Sequence, residues 1–377
     1  MRMYFIGGFL GSGKTTAIAG ACRLSIAKGL RVGVVTNDQG KLQVDSLFMR
    51  SEGFPAMEVG GGCFCCRYDD FDARVSALVE RDRPDIIFAE SVGSCADIVA
   101  TVIKPFEIFR ESYGSGSVFS VFADSRLLLA RFSGIRLPFS EDVLYVFDRQ
   151  LDEADILVLN KRDLLAEADR RRLAQLAATA WPSKRILEIS GSTEEGSRRW
   201  VEAIGAPSVP RERGSLEIDY ERYGSGEREL SWLDERLVIE DRGGLASEGG
   251  RCRNATLSFT VDMARRLAAE GLPVGHLKLQ ISAPGFERKI SLSSADFLDS
   301  NPASPGLESI LEAQLPPFVA RRTEVSVNAR VQCSPEELVI LVKAATEAAR
   351  HSAGVSISEE DRSAFRPGKP EPTYRMR

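Results

Sequence analysis

The sequence predicts an α/β domain with a mostly parallel sheet and flanking helices over residues 1–205, and a smaller α+β domain with an antiparallel sheet over residues 229–352. Residues 1–205 alternate short apolar runs with amphipathic stretches, the pattern of a parallel sheet covered by helices. The length of 377 residues also exceeds what one domain usually holds. Residues 206–228, rich in Pro, Arg, Glu, Gly and Ser, are expected to be a linker, and residues 353–377 a flexible tail.

Each predicted element follows from the local pattern. In the first domain, apolar runs predict strands at residues 3–6, 31–36, 85–89, 118–123, 155–159 and 185–189. In the second domain, alternating residues predict strands at residues 230–239, 255–261, 276–283, 287–292 and 323–332, and helices at residues 262–270, 307–314 and 335–351. Because ligands of parallel sheets bind outside the carboxyl ends of the strands, side chains that follow those ends are the first candidates for a site.

The segment from Gly8 to Thr15 matches the phosphate-binding pattern G-x-x-x-x-G-K-[ST] and lies between the first predicted strand and a helix. Glycines let backbone N–H groups turn inward around a phosphate, and the helix N-terminus adds partial positive charge. We expect Lys14 to reach the β and γ phosphates, Thr15 to ligate Mg²⁺ and Thr16 to hold the α phosphate. The remaining residues expected at the phosphates are Gly8, Gly11, Ser12 and Gly13. The pattern predicts a P-loop NTPase fold; a glycine-rich turn with a surface lysine is the alternative.

A second motif, Asn160-Lys161-Arg162-Asp163, follows the strand predicted at residues 155–159 and matches the guanine-recognition pattern N-K-x-D. The Asp163 carboxylate can accept both the N1–H and the 2-amino protons of guanine, whereas adenine would leave this charge unpaired. We expect Asn160 to hold the loop and Lys161 to lie along the base, with Ser190 as a further contact. A polar helix start capped by Asp163 is the alternative. The two motifs together predict GTP.

Three further residues are expected around the γ phosphate. Glu90 ends an apolar strand, as expected of the acid that orients the Mg²⁺ shell, and Gly93 follows where a γ phosphate could be sensed. Asp38 follows the second strand and could contact the metal or position the attacking water; an ordinary turn residue is the alternative. Lys14, Asp38 and Glu90 are thus the candidate catalytic residues of a GTPase. Slow hydrolysis, accelerated by a partner or by homodimerisation, is the corresponding hypothesis.

The cysteines Cys63, Cys65 and Cys66 fall within four positions of a glycine-rich loop and predict a transition-metal site. Zinc is the default ion, and Co²⁺, Ni²⁺, Fe²⁺ and Cu⁺ stay open. Three thiolates leave one tetrahedral position, which suits transfer of the ion. A redox pair or a structural site is the alternative. Cys22, Cys252 and Cys333 stand alone and are expected to be packing residues. Cys95, just beyond Gly93, is expected to be a buried small residue, and an approach to the nucleotide is the alternative.

The composition argues against nucleic acids and membranes as partners. The net charge of −5 provides no basic surplus for a nucleic-acid backbone. No uninterrupted apolar stretch reaches membrane-spanning length, and the sequence starts directly with a predicted strand, so we expect a cytoplasmic protein without a membrane partner.

These motifs, in this order, resemble the CobW-like GTPases of the metallochaperone class, relatives of the urease and hydrogenase nickel-insertion GTPases. The resemblance covers about residues 1–205. It implies Mg-GTP binding, GTP-controlled binding of zinc or cobalt through the cysteine motif, and delivery to a recipient metalloprotein or cofactor-assembly protein. An adaptor that assembles or reactivates a corrinoid or other cofactor enzyme without carrying metal is the alternative function.

Two features depart from the family. The family commonly has Asn-Glu-Phe-Gly after the second strand, whereas this chain has Asn37-Asp38-Gln39-Gly40, and the histidine-rich segment of many members is missing. A metal-storage role is therefore not expected.

Overall fold

The chain divides into two units. The computed structural model describes residues 1–110, 116–206, 213–243, 250–297 and 307–377. The first unit comprises Met1–Gln39, Met49–Glu227 and Gly368–Arg377, and the second comprises Gly40–Phe48 and Arg228–Pro367. Each unit therefore contains segments that are distant in the sequence.

A parallel sheet forms the centre of the first unit. Its strands within the described residues are β1 (Arg2–Gly7), β2 (Val32–Asp38), β3 (Ala56–Gly60), β4 (Ile86–Glu90), β5 (Val118–Asp124), β6 (Ile156–Asn160) and β7 (Arg185–Glu188). Their order across the sheet is β3-β2-β4-β1-β5-β6-β7, and every pair is parallel. All residues of β2, β4, β5 and β6 are buried, because helices cover both faces of the sheet. The α/β class is confirmed; β3 is an additional strand that was not predicted.

Helices follow most of these strands. Those described up to residue 229 are α1 (Lys14–Ala27), α2 (Val44–Ser51), α3 (Tyr68–Asp82), α4 (Lys104–Phe109), α5 (Ser125–Phe132), α6 (Glu141–Glu153), α7 (Glu167–Ala180), α8 (Glu194–Gly205) and α9 (Tyr220–Glu229), with a π-helical turn at Val99–Ile103 before α4. Side-chain caps begin several of them: the Ser140 hydroxyl accepts from Val143 N at the start of α6, and the Thr193 hydroxyl accepts from Gly196 N at the start of α8.

The second unit contains an antiparallel sheet, as predicted. Its described strands are β8 (Leu230–Glu240), β9 (Val274–Ala283), β10 (Phe286–Leu292), β11 (Arg322–Gln332) and β12 (Ser356–Phe365), in the order β10-β9-β11-β8-β12. The helices α10 (Arg251–Ala269), α11 (Leu307–Gln314) and α12 (Pro335–Ala353) supply the apolar residues that bury one face of this sheet.

Three expectations about this half differ from the structure. The strand predicted at residues 255–261 is wrong: these residues belong to α10, whose buried residues Ala255, Phe259 and Met263 recur at the spacing of one helix face. The expected linker at 206–228 includes α9, and its residues 207–212 lie outside the described part of the chain.

The flexible tail expected from residue 353 is also different. Its first part is the edge strand β12. The sequence pattern did not identify this strand because most of its residues are charged or polar, and buried Ile357 represents its apolar face. Its last residues, Gly368–Arg377, belong to the first unit.

Among the described residues, no helix combines the length and apolarity needed to cross a lipid bilayer.

Candidate nucleotide and metal site

The carboxyl edge of the parallel sheet brings the predicted site residues together. Asp38, Glu90 and Asn160 are the last residues of β2, β4 and β6. The P-loop follows β1 and the cysteine motif follows β3 at the same edge. The site is therefore built from loops that parallel strands align, as expected for this class of sheet.

The P-loop has a conformation that its glycines permit. Gly8 has a φ of +124°, and a Cβ there would lie 2.1 Å from the carbonyl oxygen of Phe122. Gly13 has a φ of +89°, and a Cβ there would lie 2.5 Å from Asn160 Nδ2. Gly11 also has a positive φ. Only residues without a side chain fit, because the loop passes directly against neighbouring backbone and side-chain atoms.

The side chain of Lys14 folds back over the P-loop. Lys14 Nζ donates to the carbonyl oxygens of Gly8 at 2.7 Å and Phe9 at 3.3 Å, and the side chain is buried. Ser12 is buried beneath the loop, whereas Thr16 is exposed on the first turn of α1. The ammonium group thus lies against the backbone of the loop that is expected to bind the phosphates.

A hydroxyl and a carboxylate meet beside this lysine. Thr15 Oγ1 donates to Glu90 Oε1 at 2.8 Å, and both residues are buried. Hydroxyl and carboxylate oxygens are ligands that Mg²⁺ accepts, either directly or through water. The donor set therefore fits a magnesium ion at Thr15 with Glu90 orienting its shell.

The N-K-x-D motif is fastened to the P-loop by its first residue. Asn160 Nδ2 donates to Ser12 O at 2.8 Å, and Asn160 Oδ1 accepts from Gly191 N at 2.7 Å. One amide therefore joins three loops, which fixes where the remainder of the motif stands relative to the phosphate-binding loop.

Lys161 and Asp163 of this motif have different neighbours. Lys161 has a φ of +58°, and its Nζ lies 3.0 Å from the buried carboxylate of Asp124. Burial raises the pKa of Asp124, but Lys161 and Arg126 outweigh burial and lower it to about 2. The Asp163 side chain is exposed, and its backbone N–H donates to Ser190 Oγ at 3.2 Å. Asp163 and Ser190 are thus adjacent at the outer end of the site.

The three motif cysteines form one cluster. The Cys63 Sγ lies 2.8 Å from Cys65 Sγ and 3.2 Å from Cys66 Sγ, and Cys65 Sγ lies 3.8 Å from Cys66 Sγ. Cys63 and Cys65 are buried, and Cys66 is partly exposed. A backbone turn gathers them, since Cys66 N and Arg67 N both donate to Cys63 O just before α3.

The cluster has the chemistry of a soft-metal site. The neighbouring Cys63 thiol and burial raise the pKa of Cys66 to about 11. Buried thiols keep their protons until a cation replaces them, so binding of a metal ion here would release protons. Three sulfur ligands within 4.8 Å of one another suit Zn²⁺ or Co²⁺ and not the oxygen-seeking Mg²⁺.

Asn37 connects this cluster to the strand that carries Asp38. Asn37 Nδ2 donates to Val59 O at 2.9 Å and to Gly62 O at 2.7 Å, while Asn37 Oδ1 accepts from Phe64 N at 2.7 Å. These bonds hold the loop on both sides of Cys63. Asp38, the next residue, is buried and pairs in register with Gly60, where the cysteine loop begins.

Gly93 lies against the P-loop. A Cβ there would lie 2.8 Å from Leu10 Cδ2 and 3.0 Å from Leu10 N. From the other side, Gln150 Nε2 of α6 donates to Gly93 O at 3.1 Å. The segment after β4 is thus held between the phosphate-binding loop and a helix.

The sequence reasoning missed several residues of this site. Asp124, which neutralises Lys161, is the last residue of β5 at the same sheet edge, so the rule used for Glu90 could have found it. Asn37 precedes Asp38 in the sequence, but its hydrogen bonds to the cysteine loop were not predicted. Gln150 lies within α6, a helix without a recognisable motif, so no local feature of the sequence predicted its role.

Comparison with known proteins identifies the same half of the chain. A family model described as CobW/HypB/UreG, nucleotide-binding domain, matches residues 2–188. A zinc chaperone CobW from Sinorhizobium sp is 32% identical over 180 residues, covering 42% of this chain and 50% of the relative. The zinc-regulated GTPase metalloprotein activator 1 of Dictyostelium discoideum is 26% identical over 216 residues, covering 50% of this chain and 45% of the relative. The chain thus spans about half the length of these curated relatives.

Among solved structures, the hydrogenase maturation factor HypB from Archaeoglobus fulgidus is similar over 54% of this chain and 88% of its own. The identity is 19% and the TM-score 0.37, a similarity too low to define function. The family model and the parallel sheet with its P-loop together assign residues 2–188 of this chain to the nucleotide-binding domain family CobW/HypB/UreG.

Proposed function

We propose that this protein is a GTP-binding and GTP-hydrolysing metallochaperone. It binds a transition metal ion, zinc or cobalt, through Cys63, Cys65 and Cys66, and delivers the ion to a target protein or a cofactor pathway. Two relatives, named as a zinc chaperone and as a zinc-regulated GTPase metalloprotein activator, support the assignment. The protein would act in the cytoplasm, and its hydrolysis would stay slow until a recipient protein or a second copy accelerates it.

The observation that carries this proposal is the clamp made by Asn37. Its side-chain amide makes three hydrogen bonds to the loop that holds Cys63, while its own backbone continues into Asp38. A shift of this strand end in response to a γ phosphate would therefore be transmitted to the thiol cluster by hydrogen bonds that are already present.

The nucleotide side of the site assigns a role to each group. Lys14 would neutralise phosphate charge, and Thr15 with Glu90 would hold a magnesium ion, which supplies Lewis-acid stabilisation when bound. Asp38 is the candidate for orienting the attacking water. Asp163, with Ser190 beside it, would read the guanine edge.

Guanine recognition is tested by Asp163→Asn. An amide at this position can donate to a carbonyl, so affinity is expected to fall at least tenfold for GTP and to rise for xanthosine triphosphate, whose base carries a carbonyl in place of the 2-amino group. Titration of both nucleotides against wild type measures the change. An unchanged preference for GTP would remove Asp163 from the recognition site.

The coupling is tested by measuring Zn²⁺ affinity against a chromophoric chelator, with magnesium and either GDP or a non-hydrolysable GTP analogue. We expect tighter binding with the analogue in wild type. Lys14→Ala should remove the difference because it loses the nucleotide, and Asn37→Ala should reduce it while nucleotide binding persists. Equal zinc affinities in both nucleotide states of wild type would contradict the proposal.

The adaptor function makes a different prediction. It requires that the double variant Cys63→Ser, Cys65→Ser keeps its effect on a client while Lys14→Ala loses it. The metallochaperone requires that both variants fail to transfer zinc to an apoprotein acceptor.

A further inference from the structure

Three cysteines leave a tetrahedral metal ion one ligand short. Structural zinc sites in proteins have four protein ligands, and open sites have three. The residues that surround Cys63 and Cys65 therefore decide which kind of site this is. A fourth ligand would hold the same ion as in the proposed function, so its assignment rests on that function.

A fourth thiol, that of Cys95, lies beside two thiols of the cluster, those of Cys63 and Cys65. Cys95 is 1% exposed and follows β4 by five residues, so it comes from a different loop of the same sheet edge. Its thiol interacts with the thiols of both Cys63 and Cys65.

The backbone around Cys95 is fixed from several directions. Cys95 N donates to Val92 O at 3.0 Å, and Cys95 O accepts from Gln150 Nε2 at 2.8 Å. The next residue, Ala96, donates its N–H to the Tyr223 hydroxyl at 3.1 Å. Helices α6 and α9 thus both hold the segment that presents this thiol, which is more support than a small packing residue requires.

We propose that Cys95 is the fourth ligand of the bound ion, which makes the site a four-thiolate site with Cys63, Cys65 and Cys66. On binding, each sulfur ligand that still carries a proton releases it to solvent, and the ion receives four thiolate ligands. The motif contributes three of them and the segment after Glu90 contributes the fourth.

This arrangement provides a route for release. Gly93, two residues before Cys95, packs against Leu10 of the P-loop, so the fourth ligand lies on a segment in contact with the phosphate-binding loop. A displacement of this segment would withdraw one thiolate and leave the three-ligand site from which an acceptor can take the ion.

The first test uses wild-type protein loaded with one equivalent of Zn²⁺. Extended X-ray absorption fine structure is expected to show four sulfur neighbours at about 2.3 Å. Three sulfur neighbours and one oxygen or nitrogen neighbour at about 2.0 Å would overturn the inference. This measurement requires no variant and is independent of any folding defect.

The second test compares Cys95→Ala with Cys22→Ala. Cys22 is an equally buried cysteine of α1 outside the cluster, so its replacement creates a comparable cavity. We expect Cys95→Ala to weaken Zn²⁺ binding at least tenfold and to lower the sulfur-to-Co²⁺ charge-transfer absorption of the cobalt form by about a quarter, as loss of one thiolate in four implies. Cys22→Ala should change neither.

The outcomes separate the two proposals. Zinc binding that is equally tight with and without Cys95, through three sulfur atoms, overturns the four-thiolate site and leaves the metallochaperone intact. Wild type that binds neither Zn²⁺ nor Co²⁺ overturns both.

Discussion

At the scale of single residues, the site depends on glycines at which an added Cβ would clash with neighbouring atoms. Gly8 and Gly13 have positive φ angles and lie against Phe122 and Asn160. Asn37 and Asn160 have equivalent roles, because each side-chain amide donates and accepts at once and so joins separate segments of the chain.

Gly8→Ala should therefore damage the P-loop. The new Cβ would lie 2.1 Å from a backbone oxygen, so the loop must move, and we expect nucleotide affinity to fall at least a hundredfold with a loss of about 2–4 kcal/mol in unfolding free energy. Isothermal titration and chemical denaturation measure the two effects.

The control for this substitution is Gly29→Ala. Gly29 also has a positive φ, of +80°, but a Cβ there meets nothing within 4 Å. Gly29→Ala should lower the free energy of unfolding by only about 1 kcal/mol and leave nucleotide affinity unchanged. Equal effects of the two substitutions would show that backbone strain, and not the close approach, determines the result.

At the scale of elements, helix α6 supports the segment between β4 and the π-helical turn. Glu153, at its last residue, accepts from Ile98 N at 3.1 Å and Val99 N at 3.0 Å, so a buried carboxylate begins the next helical stretch. The pKa of Glu153 is raised to about 8, mainly by burial. The hydrogen bond from Val99 N–H lowers this pKa, and the nearby charge of Asp97 raises it further.

This raised pKa predicts a pH-dependent stability. Between the ordinary pKa of about 4.5 and the folded value of about 8, the folded state binds more protons than the unfolded state, so unfolding free energy falls as pH rises through this window. Relative to Glu153→Gln, wild type should lose on the order of 2–4 kcal/mol between pH 5 and pH 8.

Denaturant titrations of both proteins at several pH values measure this difference. Glu194→Gln, which alters an exposed carboxylate on α8, serves as the control and should follow the wild-type profile. Parallel profiles for wild type and Glu153→Gln would assign the pH dependence to other groups.

The final ten residues also act as an element, since they pack on the cysteine motif within the first unit. Glu371 N donates to Cys66 Sγ at 3.2 Å, and Thr373 N donates to Cys65 O at 2.8 Å. The Tyr374 ring lies 5.2 Å from the rings of both Tyr68 and Phe109. The partly exposed thiol of the motif is thus covered by this segment.

Tyr374→Ala should loosen that cover. Loss of two aromatic contacts, each worth about 0.5–1.5 kcal/mol, is expected to raise the alkylation rate of Cys66 several-fold. Mass spectrometry after timed exposure to iodoacetamide measures the rate. Lys369→Ala is the control in the same C-terminal segment. It removes an exposed ion pair with Glu221 of α9 and should leave the alkylation rate of Cys66 within twofold of wild type. A wild-type rate in Tyr374→Ala would show that the segment does not limit access to Cys66.

At the scale of the whole molecule, the chain crosses between its two units more than once. The second unit takes in Gly40–Phe48, which begins three residues after Asn37. Within that unit, the buried Asp45 carboxylate lies 2.5 Å from Lys278 Nζ and 2.7 Å from Lys289 Nζ, and Asp234 Oδ2 accepts from Lys41 N at 2.6 Å. Burial opposes ionisation of Asp45, but the two lysines outweigh it and hold its pKa well below the usual range.

Asp45→Asn should therefore destabilise the second unit. The substitution leaves two largely buried ammonium groups without their counter-charge, at an expected cost of about 3–5 kcal/mol. Hydrogen exchange followed by mass spectrometry should show faster exchange in β9 and β10. Glu324→Gln, which breaks an exposed pair with Arg322, should cost less than about 1 kcal/mol. Unchanged exchange in Asp45→Asn would mean that the ion cluster contributes no net stability.

Much of the first unit could be predicted because its signals are local. Six of its strands are short apolar runs, and the P-loop and the N-K-x-D motif each occupy a few consecutive residues beside a strand end. The second unit was harder: the segment at residues 255–261 alternates like a strand over a short window, and only the longer 3.6-residue spacing of α10 identifies it as a helix. The edge strand β12 was missed because its exposed face is charged.

Contiguous motifs were sufficient to predict a phosphate loop, a guanine motif and three clustered thiols, because the residues of each motif share one short stretch of backbone. The fold alone brought Asn37 to the cysteine loop, Cys95 to the thiol cluster and the last ten residues over Cys66. Those contacts join residues far apart in the chain, and parallel strands align their loops at one edge whatever their order in the sequence. The local pattern therefore specified the chemistry of this protein, and the tertiary structure decided which groups act on one another.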